Sequence, residues 1–551
     1  MQAKSTRVRQ GIAAAIFVLA LSGCATSPTP ANPTRPAAWA APEKLVKPSA
    51  FHGVHGLAID AKGRLLAGTV VGNNMWEVDR QTGKAQVFIA SPEGQADDIA
   101  VGPRGELAWT SYLQGVLRMR DSDEAPTRVV AKGLPGINSL AFDQNNGKLY
   151  ASQVFLGDAL WEMDPSGQKP PRAIAKDLGG FNGFEVGPDG MLYGPLWFKG
   201  QVVRINPVDG AVTVINNQFK VPAAVNLDGK GNAWAIDTQT GELAKISLAT
   251  GAKTTVAQLG TALDNLAISP QGAIYVSNMA DNAIIEVNPE TGKTHTLLSG
   301  ELAVAGGMKL GGDKLWMADT FAFRSIDIQT GQVTDIARMQ ASDLEYPAMV
   351  GMGSKQMALV SWFTNTVQLV DRKSLKTVGM VHGFKTPYAA IPMDDGTLLV
   401  AEIATGNLLR VSGAKHENRQ VVASGLAGPV QMVIGQDGAL YLTEAAGNLV
   451  RIDLATGAKT VVADKLAMPE GLAQTPWGSF IVAETLAARL TEIDPKTGNR
   501  RTVADTLAIG LEGGPGMPPP YNVTGVDVGD DGVIYLSTDR DNAVLKIRPQ
   551  R

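Results

Sequence analysis

One short phrase recurs along this chain and fixes what it can become. Its clearest copy is Asp264-Asn265-Leu266-Ala267-Ile268-Ser269-Pro270-Gln271-Gly272-Ala273-Ile274-Tyr275-Val276-Ser277-Asn278. A polar opening leads into an alternating apolar strand, a glycine turn and a second apolar strand. A third strand (AIIEVN), a Thr-Gly hairpin (ETG) and a fourth strand (KTHTLLSG) complete the unit. The opening positions fall at His55, Asp97, Asn138, Asn182, Ala223, Asp264, Gly306, Ala348, Ala389, Val430, Glu470 and Thr524, in steps of 40 to 44 residues with one of 54. Four short strands with tight turns, repeated about every 40 residues, are the mark of a β-propeller blade.

Twelve blades in one ring would leave a wide, unfilled channel, because propellers close with roughly four to eight. The expected fold is therefore all-β, with two six-bladed β-propellers in tandem built from twelve four-stranded repeats. The first spans 44–304 and the second 305–551, with an uneven split such as five and seven as the alternative. The last unit stops after its third strand, AVLKIRPQR, while residues 44–50, within the run EKLVKPSA that starts at Glu43, resemble an orphan fourth strand. Leu45–Val46 are expected beside Val544–Ile547, completing the final blade and removing an exposed edge. The long step holds Leu511–Asn522 (LEGGPGMPPPYN), too rich in Gly and Pro for a strand. It is a loop on the same side as the opening positions, either a cover or a tolerated insertion.

The chain begins with Lys4, Arg7 and Arg9, an apolar run over 11–21, and Leu21-Ser22-Gly23-Cys24. The run is too short to span a bilayer and reads as a secretory signal over 1–23. Its ending resembles the bacterial lipoprotein signal, which implies lipidation of Cys24, the single cysteine. Ala25 then points to the outer membrane, facing the periplasm. Residues 24–43 read as a Pro-, Ala- and Thr-rich solvated tether. No disulfide is available, and 44% hydrophobic residues suffice for two packed cores. A formal net charge of −4 gives no pull toward nucleic acid. The expected partners are a small organic molecule or an envelope protein, with the membrane reached through the lipid anchor.

Opening positions of a propeller converge on its central channel. In the first half five of the six are polar (His55, Asp97, Asn138, Asn182 and Asp264, with Ala223 the exception), and in the second only Glu470 and Thr524 are. Convergent polar groups need partners. Asp97, Asn138, Asn182 and Asp264 offer the carboxylate and amide oxygens that suit a hard divalent cation, calcium before zinc. A water-filled polar network is the alternative. His55 and Asp97 are the candidate general bases. Tyr112, Gln153, Phe155, Trp197, Phe198 and Asn278, at loop positions above the same channel, are candidates to wall a pocket for an organic ligand. His52 and His55 lie three apart, which on a strand sends them to opposite faces and speaks against a zinc pair. Asp319, Glu402, Glu444 and Glu484 end second strands in the second half, where acids cap turns. No P-loop, serine-hydrolase elbow, zincin helix or dinucleotide fingerprint occurs.

The phrase Asn182-Gly183-Phe184-Glu185-Val186-Gly187-Pro188-Asp189-Gly190 resembles one found in the gluconolactonase and senescence-marker family. That resemblance implies a six-bladed propeller with one divalent cation in the channel, hydrolysing sugar lactones and related esters. The family holds its metal with a Glu in the first blade, Asn in the third and fourth, and Asp in the fifth. Asn138 and Asn182 match the two Asn positions. His55 stands where the Glu is expected and Ala223 where the Asp is, with Asp97 and Asp264 in neighbouring units. The repeats are similarly close to NHL-type repeats, which are mostly binding modules. Two functions follow: a metal-assisted lactone or ester hydrolase, and a non-catalytic scaffold or ligand-binding lipoprotein.

Overall fold

The computed structural model describes residues 34–550; Cys24 and the signal segment lie outside them. The described chain is all-β, with twelve four-stranded antiparallel sheets and one short two-stranded pair. Only two single turns of 3-10 helix interrupt them, at Trp197–Lys199 and Thr485–Ala487. In eleven of the four-stranded sheets the strands follow one another in sequence order, so each of these is a local meander.

Local chemistry sets this pattern. In the sixth sheet the strands are Leu263–Ile268, Ile274–Asn278, Ala283–Val287 and Thr294–Leu298. The first turn closes through Gly272, whose amide donates to the Ser269 carbonyl at 2.8 Å and whose φ is +90°. A side chain there would strain the backbone. The outer hairpins close on an acid: Asp327 Oδ1 accepts from the Gln329 and Thr330 amides at 3.0 and 2.8 Å, an Asx turn. Second strands such as Leu65–Thr69 and Leu398–Glu402 are buried throughout, and fourth strands such as Asn418–Ala423 are largely exposed. Inner strands pack on a neighbouring sheet at both faces, so their apolar runs are continuous rather than alternating. Leu66 and Met75 of the first sheet, for example, share a cluster with Ile99, Leu107 and Trp109 of the second. Each such side chain contributes about 1.5–3 kcal/mol of burial.

Each first strand contacts the first strand of the next sheet. The series returns on itself twice: Leu263–Ile268 packs on Val54–Ile59, and Val526–Val528 packs on Met308–Gly311. The repeats are thus propeller-like, in an N-terminal half through residue 304 and a C-terminal half after it.

The twelfth sheet takes its outer strand from the other end of the chain. Glu43–Val46 pairs antiparallel with Ala543–Ile547, with Glu43 opposite Lys546, Lys44 opposite Leu545 and Val46 opposite Val544. Leu45 falls at an irregularity in the ladder. Residues 35–39 are not a free tether. Ala38–Trp39 pairs with Pro549–Gln550, Trp39 packs on Trp477 with ring centroids 5.9 Å apart, and Arg35 bonds Glu492 at 2.9 Å. An indole beside an unpaired strand edge gains more by docking than by hydration.

The two halves are joined by polar contacts. His52 Nε2 is 2.8 Å from the Asp539 carbonyl, and Asn542 Nδ2 donates to the Phe51 carbonyl. Arg338 of the C-terminal half pairs with Asp281 of the N-terminal half at 2.8 Å and with Asp335 at 2.6 Å.

Candidate functional site

Five opening positions of the N-terminal half meet in one cavity. His55, Asp97, Asn138, Asn182 and Asp264 share its lining with Tyr112 and Trp197. The cavity has about 910 Å³ of empty space, part of it open to solvent. Each polar residue sits where its sheet begins, so five blades deliver side chains to one point. Ala223 is buried but does not line the cavity.

The other wall comes from the C-terminal half, through Phe321, Tyr346, Ala348, Trp362, Phe363 and Tyr521. Their rings form a continuous series. Phe321 meets His55 at 5.5 Å and Tyr346 at 6.4 Å, Tyr346 meets Phe363 at 5.3 Å, and Trp362 meets Phe363 and Tyr521 at 5.9 and 6.0 Å. On the opposite side Phe155 stands edge-on to Trp197 at 5.1 Å and to Phe198 at 5.7 Å. Phe155 and Phe198 are largely exposed.

The Leu511–Asn522 loop takes part in this wall. Tyr521 and Asn522 line the cavity, Glu512 accepts through its carbonyl from Asn73 Nδ2 at 3.3 Å, and Leu511 packs among Met279, Phe321 and Met339. The loop is anchored at its base, where Asp539 accepts from the Gly510 and Leu511 amides at 2.8 and 2.9 Å.

The electrostatics are unusual for so apolar a chamber. Asp97 is buried and Asp264 half-buried, and both line the cavity. Burial holds the Asp264 carboxyl up at about 7. Burial first, and then the charges of Asp264 and Asp98, push Asp97 well above the usual carboxylate range. Burial also raises the Tyr346 phenol, helped by the fields of Asp97 and Asp264. His55 Nδ1 is 2.7 Å from the Gly53 carbonyl and donates to it, which leaves Nε2 as an acceptor. Burial lowers His55 to about 4, so the ring is neutral at pH 7. Asn182 Oδ1 accepts from the Gly183 amide and the Ser139 hydroxyl, both at 2.9 Å. Its amide NH₂ is the group left for a ligand. Asn138 Oδ1 accepts from the same hydroxyl at 2.8 Å.

Three residues expected to wall the pocket do not line it; Phe198 is one, standing exposed behind Phe155. Gln153 does not line the cavity; it accepts from Trp161 Nε1 and donates to the Pro135 carbonyl, each at 2.8 Å. Asn278 is fully buried, donates to the Thr261 carbonyl at 3.0 Å and accepts from Arg338 at 3.3 Å. Both end second strands, where the strand's alternation turns them into blade junctions. His52 points into the contact between halves, so the two histidines do not converge. Among the described residues no group of three or more His, Cys, Asp or Glu is placed to hold a metal ion. That count leaves out amide ligands such as Asn138.

Deeper in the same channel lie groups that the sequence reading passed over. Asp98 Oδ1 accepts from Asn265 Nδ2 at 2.9 Å across the channel, and from the Ile99 amide at 2.9 Å. Glu185 accepts from the Leu227 amide at 2.6 Å. Burial holds both carboxyls at about 7. The signal was present for Asp98 and Asn265, each of which follows an opening position directly in sequence. The acids ending second strands in the C-terminal half serve turns: Glu402, Glu444 and Glu484 accept from the Lys385, Ala427 and Ala467 amides. Asp319 does the same for Ala303 and pairs with Arg324 at 2.7 Å.

No protein-family model matches the chain, and no curated protein matches it. Among solved structures, similarity is found to the extracellular domain of a putative hybrid two component system from B. thetaiotaomicron. It has 9% identity and a TM-score of 0.34, and covers 93% of this chain and 82% of that one. The extracellular domain of a putative one component system from the same organism gives 12% identity and a TM-score of 0.31, covering 93% and 83%.

Proposed function

We propose that the chain is a tandem of two six-bladed propellers that clasps a small organic molecule between them at the bacterial cell envelope. The cavity carries this reading: polar opening positions of one half and aromatic loops of the other line a single chamber. Apolar walls with a few convergent polar groups are the usual form of a ligand site. The two returns of the inner-strand series support closure at six blades each. Envelope placement rests on the signal segment and Cys24, which anchor the chain by acylation.

Hydrolysis of a lactone or ester is the second reading. It is favoured by the His55 Nε2 acceptor in the same cavity as Asp97 and Asp264. In it Asp97, Asp264 and Asn138 hold a divalent cation that polarises the ester carbonyl, and neutral His55 takes a proton from water. Asn182 then donates its NH₂ to the substrate.

Thermal-shift screening of a metabolite library separates these readings from an empty chamber. Wild type is expected to give hits that are lost in Ala348→Trp, which fills the cavity from its C-terminal wall. Turnover of lactone hits that depends on an added divalent cation and is lost in His55→Gln selects hydrolysis. A library without hits in wild type rejects the small-molecule site.

A further inference from the structure

We infer that the ligand of this cavity carries an organic cationic head group, an ammonium or quaternary ammonium, seated on Asp97 and Asp264 beneath the aromatic wall. The inference deepens the small-molecule reading and rests on it. Asp97 is only 8% exposed and lines the cavity. Its carboxylate meets no hydrogen-bond donor among the described residues, and neither does that of Asp264. Other buried acids here are satisfied: Asp319 by Arg324, Glu484 by Arg489, Asp98 by Asn265. Two carboxylates that line one cavity, one buried and one half-buried, repel unless a cation joins them, and no Lys or Arg lines the cavity.

The missing charge fits an organic cation better than a bare metal ion. A hard divalent ion seeks six or more oxygens. Asn182 Oδ1 is already taken by two donors, and His55 offers one nitrogen. The lining also holds the rings of Tyr112, Trp197, Phe321 and Tyr346, of which Tyr112 and Tyr346 feel the charge of Asp97. Aromatic faces attract ammonium groups, most strongly where water is excluded. The apolar remainder of the chamber suits a hydrocarbon or aryl body on the same molecule.

The test is calorimetric titration of the mature protein with 2-phenylethylammonium, 2-phenylethanol and phenylacetate, which share a scaffold and differ in head-group charge. Choline and Ca²⁺ are titrated alongside. The ammonium is expected to bind at least about tenfold tighter than the alcohol, and phenylacetate weakest, since one pair contact of this kind is worth roughly a factor of ten or more. The double variant Asp97→Asn, Asp264→Asn relieves repulsion and is expected to fold, as its thermal melt will verify. It should lose at least about tenfold for the ammonium and choline and leave the alcohol unchanged. Equal or tighter binding of the alcohol or phenylacetate overturns the inference. So does ammonium binding that survives the double variant, absence of ammonium binding, or stoichiometric Ca²⁺ uptake that the double variant abolishes while the ammonium fails to bind. If the library gives uncharged or anionic hits that Ala348→Trp removes, the small-molecule reading stands and only the charge class falls. If it gives none, both fall.

Discussion

Asp264→Asn tests the electrostatics of the cavity floor directly. The folded protein holds the Asp264 carboxyl at about 7 against an ordinary value of 3.8. Between those two pH values the folded state keeps a proton that the unfolded chain has released. The stability this provides is fully present below 3.8 and is lost as pH rises through about 7. The shift of about three pH units, at about 1.4 kcal/mol each, sets an upper bound on the order of 4 kcal/mol by pH 8. An amide is nearly the shape of a protonated carboxyl and carries no charge. Asp264→Asn should therefore be more stable than wild type at pH 8, by about 2–4 kcal/mol. It also relieves Asp97, whose own upward shift is due second to the Asp264 charge. At pH 4 most of the gain disappears, because the unfolded wild-type chain is regaining its proton. Urea unfolding of ligand-free protein at the two pH values, followed by tryptophan fluorescence, reads the difference. Equal or lower stability of the variant at pH 8, or a gain undiminished at pH 4, refutes the reasoning.

Three further outcomes follow from the packing. Arg338→Met removes the pairing of Arg338 with Asp281 and Asp335; it should cost about 2 kcal/mol, less than a fully buried pair because both acids are about one-third exposed, and should speed proteolysis at the junction of the halves. Gly53→Ala places a Cβ 2.1 Å from Phe321 at a φ of +71°, so a loss of roughly 2 kcal/mol or more in a denaturant melt is expected from strain and a displaced ring. Deleting 34–46 strips the outer strand from the twelfth sheet and leaves Ala543–Ile547 as an open edge, which should appear as concentration-dependent self-association in size-exclusion chromatography. An unchanged elution profile across concentrations would count against the edge argument. Cys24→Ser should move the protein from the membrane to the soluble periplasmic fraction or leave it uncleaved, and unaltered fractionation and processing would reject the lipoprotein reading.

The sequence by itself determined the repeating sheets. Strand alternation, the turn glycine at Gly272 and the acid-capped hairpin at Asp327 act over a few residues, so each unit carries its own instructions. It also placed His55, Asp97, Asn138, Asn182 and Asp264 at equivalent positions, which regular repetition brings to one channel. What lies opposite them was settled only by tertiary structure. Phe321 and Trp362 stand just after second strands, where Tyr112 and Trp197 stand in the first half, and nothing local says that one half turns these loops toward the other. Gln153 and Asn278 show the same limit from the other side. Their place at strand ends was legible, but the direction of a strand-end side chain depends on the pleat and the neighbouring blade, and both went to junctions. The two unpaired carboxylates became a feature of the protein only when the second half closed over them, because a charge in water costs nothing and the same charge under an aromatic wall calls for a partner.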